Sequence, residues 1–265
     1  MLPRILSALL FLFAAALFAE EPKPLRVLMV TGGCCHDYTA QKKILSEGIS
    51  ARANVEWTIV HEGIPTATDD GRKHRVSIYE KPDWAKGYDL ILHNECFGFV
   101  DDVGFVEGIA AAHKAGVPAV MLHCSSHSYR AAATDEWRMA VGITSRSHET
   151  GCDLNIERVN AEHPVMAGFP EKWLDHGDEL YKNEKLWPDV IPLAKAYGKE
   201  TKQDHVCIWL NTYGKARVFS TTLGHSNQTM SDPVYLDLVT RGLLWACDKL
   251  DDNGKPRSGY ESRPR

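Results

Sequence analysis

The strongest constraint on the fold is a series of short apolar segments that alternate with helical patterns. Residues 25–31, 55–60, 88–93 and 117–122 have the length and the β-branched content of buried strands. Strands that are apolar on both faces and are separated by helices are typical of a parallel sheet covered by helices on both sides. We therefore predict one α/β domain.

The second half of the chain continues this pattern less regularly. A helix is predicted over residues 128–140, and further strands are predicted over residues 153–159, 191–197, 206–210 and 217–222. Asp232 followed by Pro233 is typical of a helix start. The chain contains no repeat and no internal linker, so we expect the domain to cover residues 25–250. Residues 251–265 are polar and rich in Pro, Gly and Arg, and we expect them to be disordered.

The first 19 residues have the pattern of a secretory signal. Arg4 gives a positive start, residues 5–18 are almost wholly apolar, and Ala19 precedes a polar segment. The apolar stretch is shorter than the roughly 20 residues of a membrane-spanning helix. We expect cleavage after Ala19 and a periplasmic or secreted protein with no membrane contact after cleavage; an uncleaved N-terminal anchor is the alternative.

Charge and cysteine content narrow the possible partners. With 30 Lys and Arg against 35 Asp and Glu, the chain has no broad positive field, so nucleic acid is not expected as a partner. No GxGxxG motif is present, which argues against a nucleotide cofactor.

Seven cysteines are too few for a disulfide scaffold. The sequence does not decide how Cys34, Cys35, Cys96 and Cys124 pair, nor whether the protein forms a homo-oligomer.

Histidines follow four of the predicted strands. His36 comes after the first strand, His93 ends the third, His123 and His127 follow the fourth, and His225 follows the last. In an open parallel sheet, ligands bind beyond the carboxyl ends of the strands. We therefore expect these imidazoles to be gathered at one edge of the sheet.

Imidazoles that meet a carboxylate support two kinds of chemistry. Neutral histidine is the commonest zinc ligand, and paired His and Glu can also act as acid and base without a metal. The candidate carboxylates are Glu95, Glu149 and Glu179. Because neither HExxH nor CxxC occurs, local spacing does not decide between the two. Cys124 lies where a nucleophilic thiol could stand, but Ser126 occupies a position where such a turn usually needs Gly.

The chain resembles the trehalose-utilisation, or ThuA-like, family in elements spread over nearly the whole domain. The matching elements are Thr31-Gly32-Gly33 with His36-Asp37, Leu122-His123, His163-Pro164, Asp178-Glu179-Leu180-Tyr181, Leu223-Gly224-His225 and residues 241–246. The resemblance implies a class I glutamine amidotransferase-like fold, which is a flavodoxin-like, doubly wound, mostly parallel sheet with helices on both faces. It also implies a role in carbohydrate catabolism, often of sugars oxidised to a keto form.

These observations together predict an exported enzyme, a hydrolase, lyase or isomerase, that acts on a small carbohydrate, either a sugar or a keto-sugar glycoside. A divalent cation, zinc first, is the expected cofactor. We assign the predicted roles as follows: metal ligands His36, His123 and His225; catalytic residues Glu179, His127 and His225; substrate-binding residues His93, Asn94 and Arg130. The alternatives are a sugar-binding protein without turnover and an amidotransferase-like hydrolase that depends on Cys124.

Overall fold

The structure, a computed structural model, describes residues 23–64 and 68–263, so the predicted signal sequence lies outside the described residues. The strands are β1 (Leu25–Gly33), β2 (Val55–Glu62), β3 (Leu90–Cys96), β4 (Ala119–Leu122), β5 (Ile143–Thr144), β6 (Cys152–Arg158), β7 (Lys172–Asp178), β8 (Lys185–Leu186), β9 (Ile191–Tyr197), β10 (Asp204–Tyr213) and β11 (Ala216–Thr221). The α-helices are α1 (Tyr38–Ser50), α2 (Asp69–Lys73), α3 (Val103–Ala115), α4 (Glu136–Val141), α5 (Asn227–Ser231) and α6 (Pro233–Ala246). In the described part of the chain, no helix has the length and apolar character needed to cross a bilayer.

Nine of the strands form one mixed sheet in the order β2-β1-β3-β4-β11-β10-β9-β6-β7. The first five are parallel, whereas β10, β9, β6 and β7 extend the sheet by antiparallel pairing. β5 and β8 pair separately. The predicted α/β fold is confirmed, and its parallel half carries the strand ends at which histidines were expected.

The alternation of side chains along β1 shows how the sheet is covered on both faces. Val27 and Met29 join a core that includes residues of α1 and α6. Leu28 and Val30 point the other way, into a second core that includes residues of α3 and α4. Since successive side chains of a strand point to opposite faces, a strand packed on both sides must be apolar throughout.

Aspartate side chains cap the N-termini of three helices, α1, α3 and α6. The side chain of Asp37 accepts a hydrogen bond from the backbone N–H of Ala40, and Asp102 accepts one from Phe105. Asp232 accepts one from Val234 at the start of α6, as its position before Pro233 predicts. The cap at Asp37 fixes the turn that carries the preceding His36.

The helix predicted over residues 128–140 is shorter in the structure, where α4 covers only Glu136–Val141. Tyr129 has a φ of +58°, which is incompatible with a continuous right-handed helix. The guanidinium of Arg138 donates hydrogen bonds to the carbonyls of Arg130, Ala132 and Thr134, and so holds the preceding segment as a loop.

Residues of the tail 251–263, which we expected to be disordered, form hydrogen bonds with the domain. The backbone N–H of Asn54 donates to the carbonyl of Tyr260, and the Asn54 side chain donates to the carbonyl of Gly259. Tyr260 also packs against the core. Composition alone suggested disorder, but these polar residues satisfy backbone groups at the start of β2 and cover an apolar surface.

The packing of α6 on β11 gives a test of the fold, because β11 leads to His225. A Cβ atom at Gly242 would overlap the ring of the fully buried Phe219. We expect Gly242→Ala to lower the free energy of unfolding by about 1–3 kcal/mol, the usual effect of overpacking a core.

Gly108→Ala in α3 is the matched control, since nothing lies within 4 Å of the added Cβ. We expect it to raise the free energy of unfolding by about 0.5–1 kcal/mol through helix propensity. Urea denaturation of both variants measures the effects, and equal changes of the same sign would contradict this packing.

Candidate functional site

The candidate site lies where five strand ends meet. β1, β3, β4 and β11 are neighbours and run parallel, so the loops after them leave from one edge of the sheet. These loops bring His36, His123 and His225 together, and the end of β7 adds Glu179. The sequence predicts that His36, His123 and His225 converge at one edge of the sheet, and they do.

The four side chains form a close group that we call the His/Glu cluster: His36, His123, Glu179 and His225. The Nε2 atom of His36 lies 3.1 Å from Nε2 of His123 and 3.3 Å from Nδ1 of His225. The Glu179 carboxylate lies 3.6 Å from Nε2 of His123 and 3.4 Å from Nδ1 of His225. One donor atom from each residue falls within 4.8 Å of all the others.

This donor set fits a divalent cation such as zinc. Nitrogen ligands bonded tetrahedrally to zinc lie about 3.3 Å apart, because each is roughly 2.0–2.1 Å from the ion. The nitrogen separations in the His/Glu cluster are close to that value. In addition, Nδ1 of His123 donates a hydrogen bond of 2.6 Å to the carbonyl of Thr222, which turns Nε2 toward the cluster.

His123 occupies a turn between a strand and a helix in an unusual backbone conformation. Its φ is +44°, in the left-handed region that non-glycine residues seldom adopt, and it directly follows β4. Residues at such turns are projected out of the carboxyl edge of the sheet. Here the projected group is an imidazole, and Cys124 comes one residue too late to take that place.

Asp178, at the end of β7, fixes the position of two members of the cluster. Its fully buried carboxylate accepts a hydrogen bond of 2.7 Å from the N–H of Glu179 and another of 2.7 Å from the N–H of Gly224. The N–H of His225 also lies 3.3 Å from this carboxylate. A single side chain thus ties the end of β7 to the loop after β11.

The charges in the cluster match a cation site. Burial, with the nearby His123 and His225, lowers the pKa of His36 to about 2, so this imidazole is neutral at pH 7. Burial alone would raise the pKa of Glu179, but hydrogen bonds with His123 and His225 outweigh it and hold that pKa far below its usual range. The hydrogen bond with Glu179 raises the pKa of His225. One ionised carboxylate therefore faces a group of imidazoles.

A cavity of about 250 Å³ opens directly above the cluster. His127, Arg130, His148 and Tyr181 line it together with three members of the cluster. The ring of His127 stacks on that of Tyr181 with 3.8 Å between centroids, and burial, with the charge of Arg130, holds the pKa of His127 well below its ordinary value. The cavity thus combines a neutral imidazole, a phenol and a guanidinium.

Four cysteines also line this cavity: Cys34, Cys35, Cys96 and Cys124. Cys34 is disulfide-bonded to Cys35, and Cys96 to Cys124, whereas Cys152, Cys207 and Cys247 are free. Cys124 therefore carries no free thiol here, which argues against the hydrolase alternative that depends on it.

Most of the residues that the sequence predicted for the site are near one another. His36, His123, His225 and Glu179 form the cluster, and His127 and Arg130 line its cavity. Their roles in binding and catalysis remain predictions.

The structure buries His93 and Asn94, which were predicted to bind substrate, and neither lines the cavity. His93 is fully buried in β3, where its ring nitrogens lie 3.0 Å from Nε2 of His113 and 2.8 Å from the Glu95 carboxylate. Asn94 is also buried, and its side-chain N–H groups donate to Gln41 and Thr31. Both side chains point into the covered faces of the sheet, because β3 continues to Cys96, past the predicted strand end at residue 93.

The sequence predicts no role in the site for three contributors: Tyr181, His148 and Asp178. Nε2 of His148 lies 3.6 Å from Glu179, and the Tyr181 hydroxyl lies 3.3 Å from Nε2 of His123. The sequence held one usable signal, the run Asp178–Tyr181, but its place at this edge follows from β7, which was not predicted as a strand. Glu149, another candidate carboxylate, instead accepts hydrogen bonds from Glu200 and Thr201.

Comparison with known proteins gives a family and a fold. A family model described as trehalose utilisation matches residues 26–246. No curated protein is similar enough to match.

Solved structures share the architecture at low sequence identity. A ThuA-like protein from Parabacteroides merdae is 18% identical, with 91% of this chain and 98% of that one covered and a TM-score of 0.64. A ThuA-like protein from Bacteroides uniformis is 15% identical, with the same coverage and a TM-score of 0.62. A GMP synthase protein from Thermoplasma acidophilum is 12% identical, with 86% and 96% covered and a TM-score of 0.52. These similarities concern the fold, which is that of the class I glutamine amidotransferases.

The carboxylate pair behind the cluster makes stability depend on pH. Burial, together with repulsion from Asp178, raises the pKa of Asp175 to about 9. Asp175 Oδ1 accepts a hydrogen bond from Thr229, while the buried Oδ2 has no hydrogen-bond partner among the described residues, so no donor stabilises a negative charge there. The folded state thus keeps a proton that the unfolded chain releases near pH 4. The free energy of unfolding therefore falls as the pH rises from about 4 toward 9.

Asp175→Asn replaces the protonated carboxyl by an uncharged amide of the same shape. We expect the variant to be more stable than the wild type at pH 8 and the difference to shrink toward pH 4, with a slope of at most about 1.4 kcal/mol per pH unit. Denaturant unfolding at several pH values measures this, with the exposed Asp153→Asn as control. Parallel pH profiles for Asp175→Asn and the wild type would contradict the protonated pair.

Proposed function

Since the chain belongs to the ThuA family of trehalose utilisation and therefore to carbohydrate metabolism, we propose that it is an exported, metal-dependent enzyme acting on a sugar or a keto-sugar glycoside. The observation that carries this proposal is the His/Glu cluster at the base of a polar cavity. A protein that only binds sugar has no need to bring three imidazoles and a carboxylate within bonding distance of one ion.

In this proposal the cluster holds a divalent cation, zinc first. His36, His123 and His225 supply nitrogen ligands, and Glu179 supplies a carboxylate as the fourth ligand or acts as a base. Such an ion, when bound, polarises a carbonyl oxygen of the substrate as a Lewis acid. Tyr181 and Asp178 position this set, the first from the cavity wall and the second through the backbone of the two loops.

The other cavity residues would bind the sugar and move protons. His127 is neutral because it is buried beside Arg130, so it can accept a proton from a substrate carbon next to a ketone. The Arg130 guanidinium, which also donates to the carbonyl of Arg146, presents hydrogen-bond donors to sugar hydroxyls. Elimination, isomerisation and hydrolysis of a keto-sugar glycoside can all begin with such a proton transfer.

The size of the space favours a substrate of more than one ring. The cavity of about 250 Å³ is smaller than a typical ligand pocket of roughly 300–1,000 Å³. A second cleft of about 660 Å³ adjoins it and shares Cys35 and His36 as a wall. One sugar ring over the cluster and a second ring in the cleft would occupy both spaces.

Export is proposed from the apolar segment in residues 1–19. The two disulfides support it, because disulfides persist mainly in oxidising compartments outside the cytosol.

Zinc binding tests the cluster directly. Isothermal titration of the metal-stripped, disulfide-intact protein with Zn²⁺ is expected to give one site per chain. His123→Ala removes a ligand and should weaken zinc binding at least tenfold, while the exposed His176→Ala should leave it unchanged. Equal zinc affinities for His123→Ala and the wild type would contradict the proposed metal site.

Turnover tests the proposed activity. We expect the zinc-loaded protein to consume an oxidised, keto-form disaccharide. Arg130→Ala should raise KM about tenfold or more and change kcat little, because it removes charged hydrogen bonds worth about 1.5–3 kcal/mol from substrate binding. Arg146→Ala, whose side chain pairs with Glu184 on the surface, is the control. Sugar binding by the wild type without any turnover would instead support the sugar-binding alternative.

A further inference from the structure

A second group of metal-ligating side chains lies in the same cavity, apart from the His/Glu cluster. We call it the sulfur cluster: Cys34, Cys35, Cys96 and Cys124. These residues follow or end three adjacent parallel strands, β1, β3 and β4, so their sulfurs meet at the same edge of the sheet. The Sγ atoms of Cys34 and Cys96, which belong to different disulfides, are only 3.8 Å apart.

We propose that the sulfur cluster, when both disulfides are reduced, is a binding site for a soft d¹⁰ cation, Cu(I). Cys34, Cys35 and Cys96 are the ligands, since their Sγ atoms all lie within 4.8 Å of one another. This site is independent of the proposed sugar chemistry and uses none of its residues as ligands.

The geometry and the ligand type both favour this ion. Three thiolates placed about 2.3 Å from one ion in a plane are about 4 Å apart. The Sγ atoms of Cys34 and Cys96 are already 3.8 Å apart, whereas those of Cys34 and Cys35 can separate only when their disulfide is reduced. Thiolates select Cu(I) over harder cations.

Reduction requires a co-reactant, and a small dithiol is the chemical class that fits. The disulfide of Cys34 and Cys35 is the accessible one, because Cys35 is exposed whereas the other three cysteines are buried. Each disulfide takes two electrons and two protons from one dithiol, which becomes a cyclic disulfide. When Cu(I) binds, the three thiols lose their protons as sulfur–copper bonds form. The oxidised protein offers no thiolate in this cavity and should not bind Cu(I) there.

Copper stoichiometry tests the site in the intact chain. The protein is reduced with a dithiol, freed of reductant without oxygen, titrated with Cu(I), and compared with the oxidised protein. We expect the reduced form to bind one more Cu(I) per chain and to gain thiolate-to-copper charge-transfer absorption. Cys34→Ser and Cys96→Ser should each lose that ion, while Cys152→Ser, at a free cysteine on β6, should keep it. His123→Ala should also keep it, which separates this site from the His/Glu cluster.

Thiol alkylation gives a readout that needs no variant. In the reduced protein, bound Cu(I) should protect the exposed Cys35 from iodoacetamide, while Cys152 still reacts, as read by peptide mass spectrometry. Equal copper binding by the reduced and oxidised proteins, or equal alkylation of Cys35 with and without Cu(I), would overturn the proposal.

Discussion

Parallel pairing of β1, β3, β4 and β11 is the constraint on which the site depends. In a parallel sheet every carboxyl end lies at the same edge, so residues far apart in the chain become neighbours there. His36 and His225 are 189 residues apart, yet their rings lie 5.1 Å apart. The antiparallel half of the sheet serves the same edge, since β7 delivers Asp178 and Glu179 to it.

Electrostatics explains why such a cluster suits a cation. Burial keeps His36 neutral, and the hydrogen bond from Nδ1 of His123 to the Thr222 carbonyl turns Nε2 of that ring toward its neighbours. Lone pairs that face one another at 3.1–3.3 Å repel unless a proton or a metal ion lies between them. The ionised Glu179 adds the negative charge that a divalent ion would neutralise.

The sequence predicted the general architecture and most of the cluster, because both depend on strand ends. Apolar runs locate parallel strands well. The fold class alone then places a histidine just beyond such a run at the carboxyl edge of the sheet. His93 shows the limit, because the strand continues past residue 93 and buries its ring between β3 and α3. A shift of a few residues in a strand end decides whether a side chain faces a cavity or the core.

The contributions of Asp178, Tyr181 and the tail could not be predicted for a different reason. β7 is half-exposed, and neither its apolar pattern nor any local motif distinguishes it from a loop. The tail from Asp251 is polar, so its ordering follows from particular hydrogen bonds to Asn54 rather than from composition. Such long-range pairings depend on tertiary structure and leave no periodic trace in the sequence.

Zinc binding by the His/Glu cluster is tested by a crystal structure of the protein grown with Zn²⁺, with diffraction data collected on both sides of the zinc absorption edge. We expect one strong anomalous peak between the ring nitrogens of His36, His123 and His225 and the carboxylate of Glu179. Anomalous peaks found only at other positions, with these four side chains hydrogen-bonded to one another and no ion between them, would contradict zinc binding by the cluster.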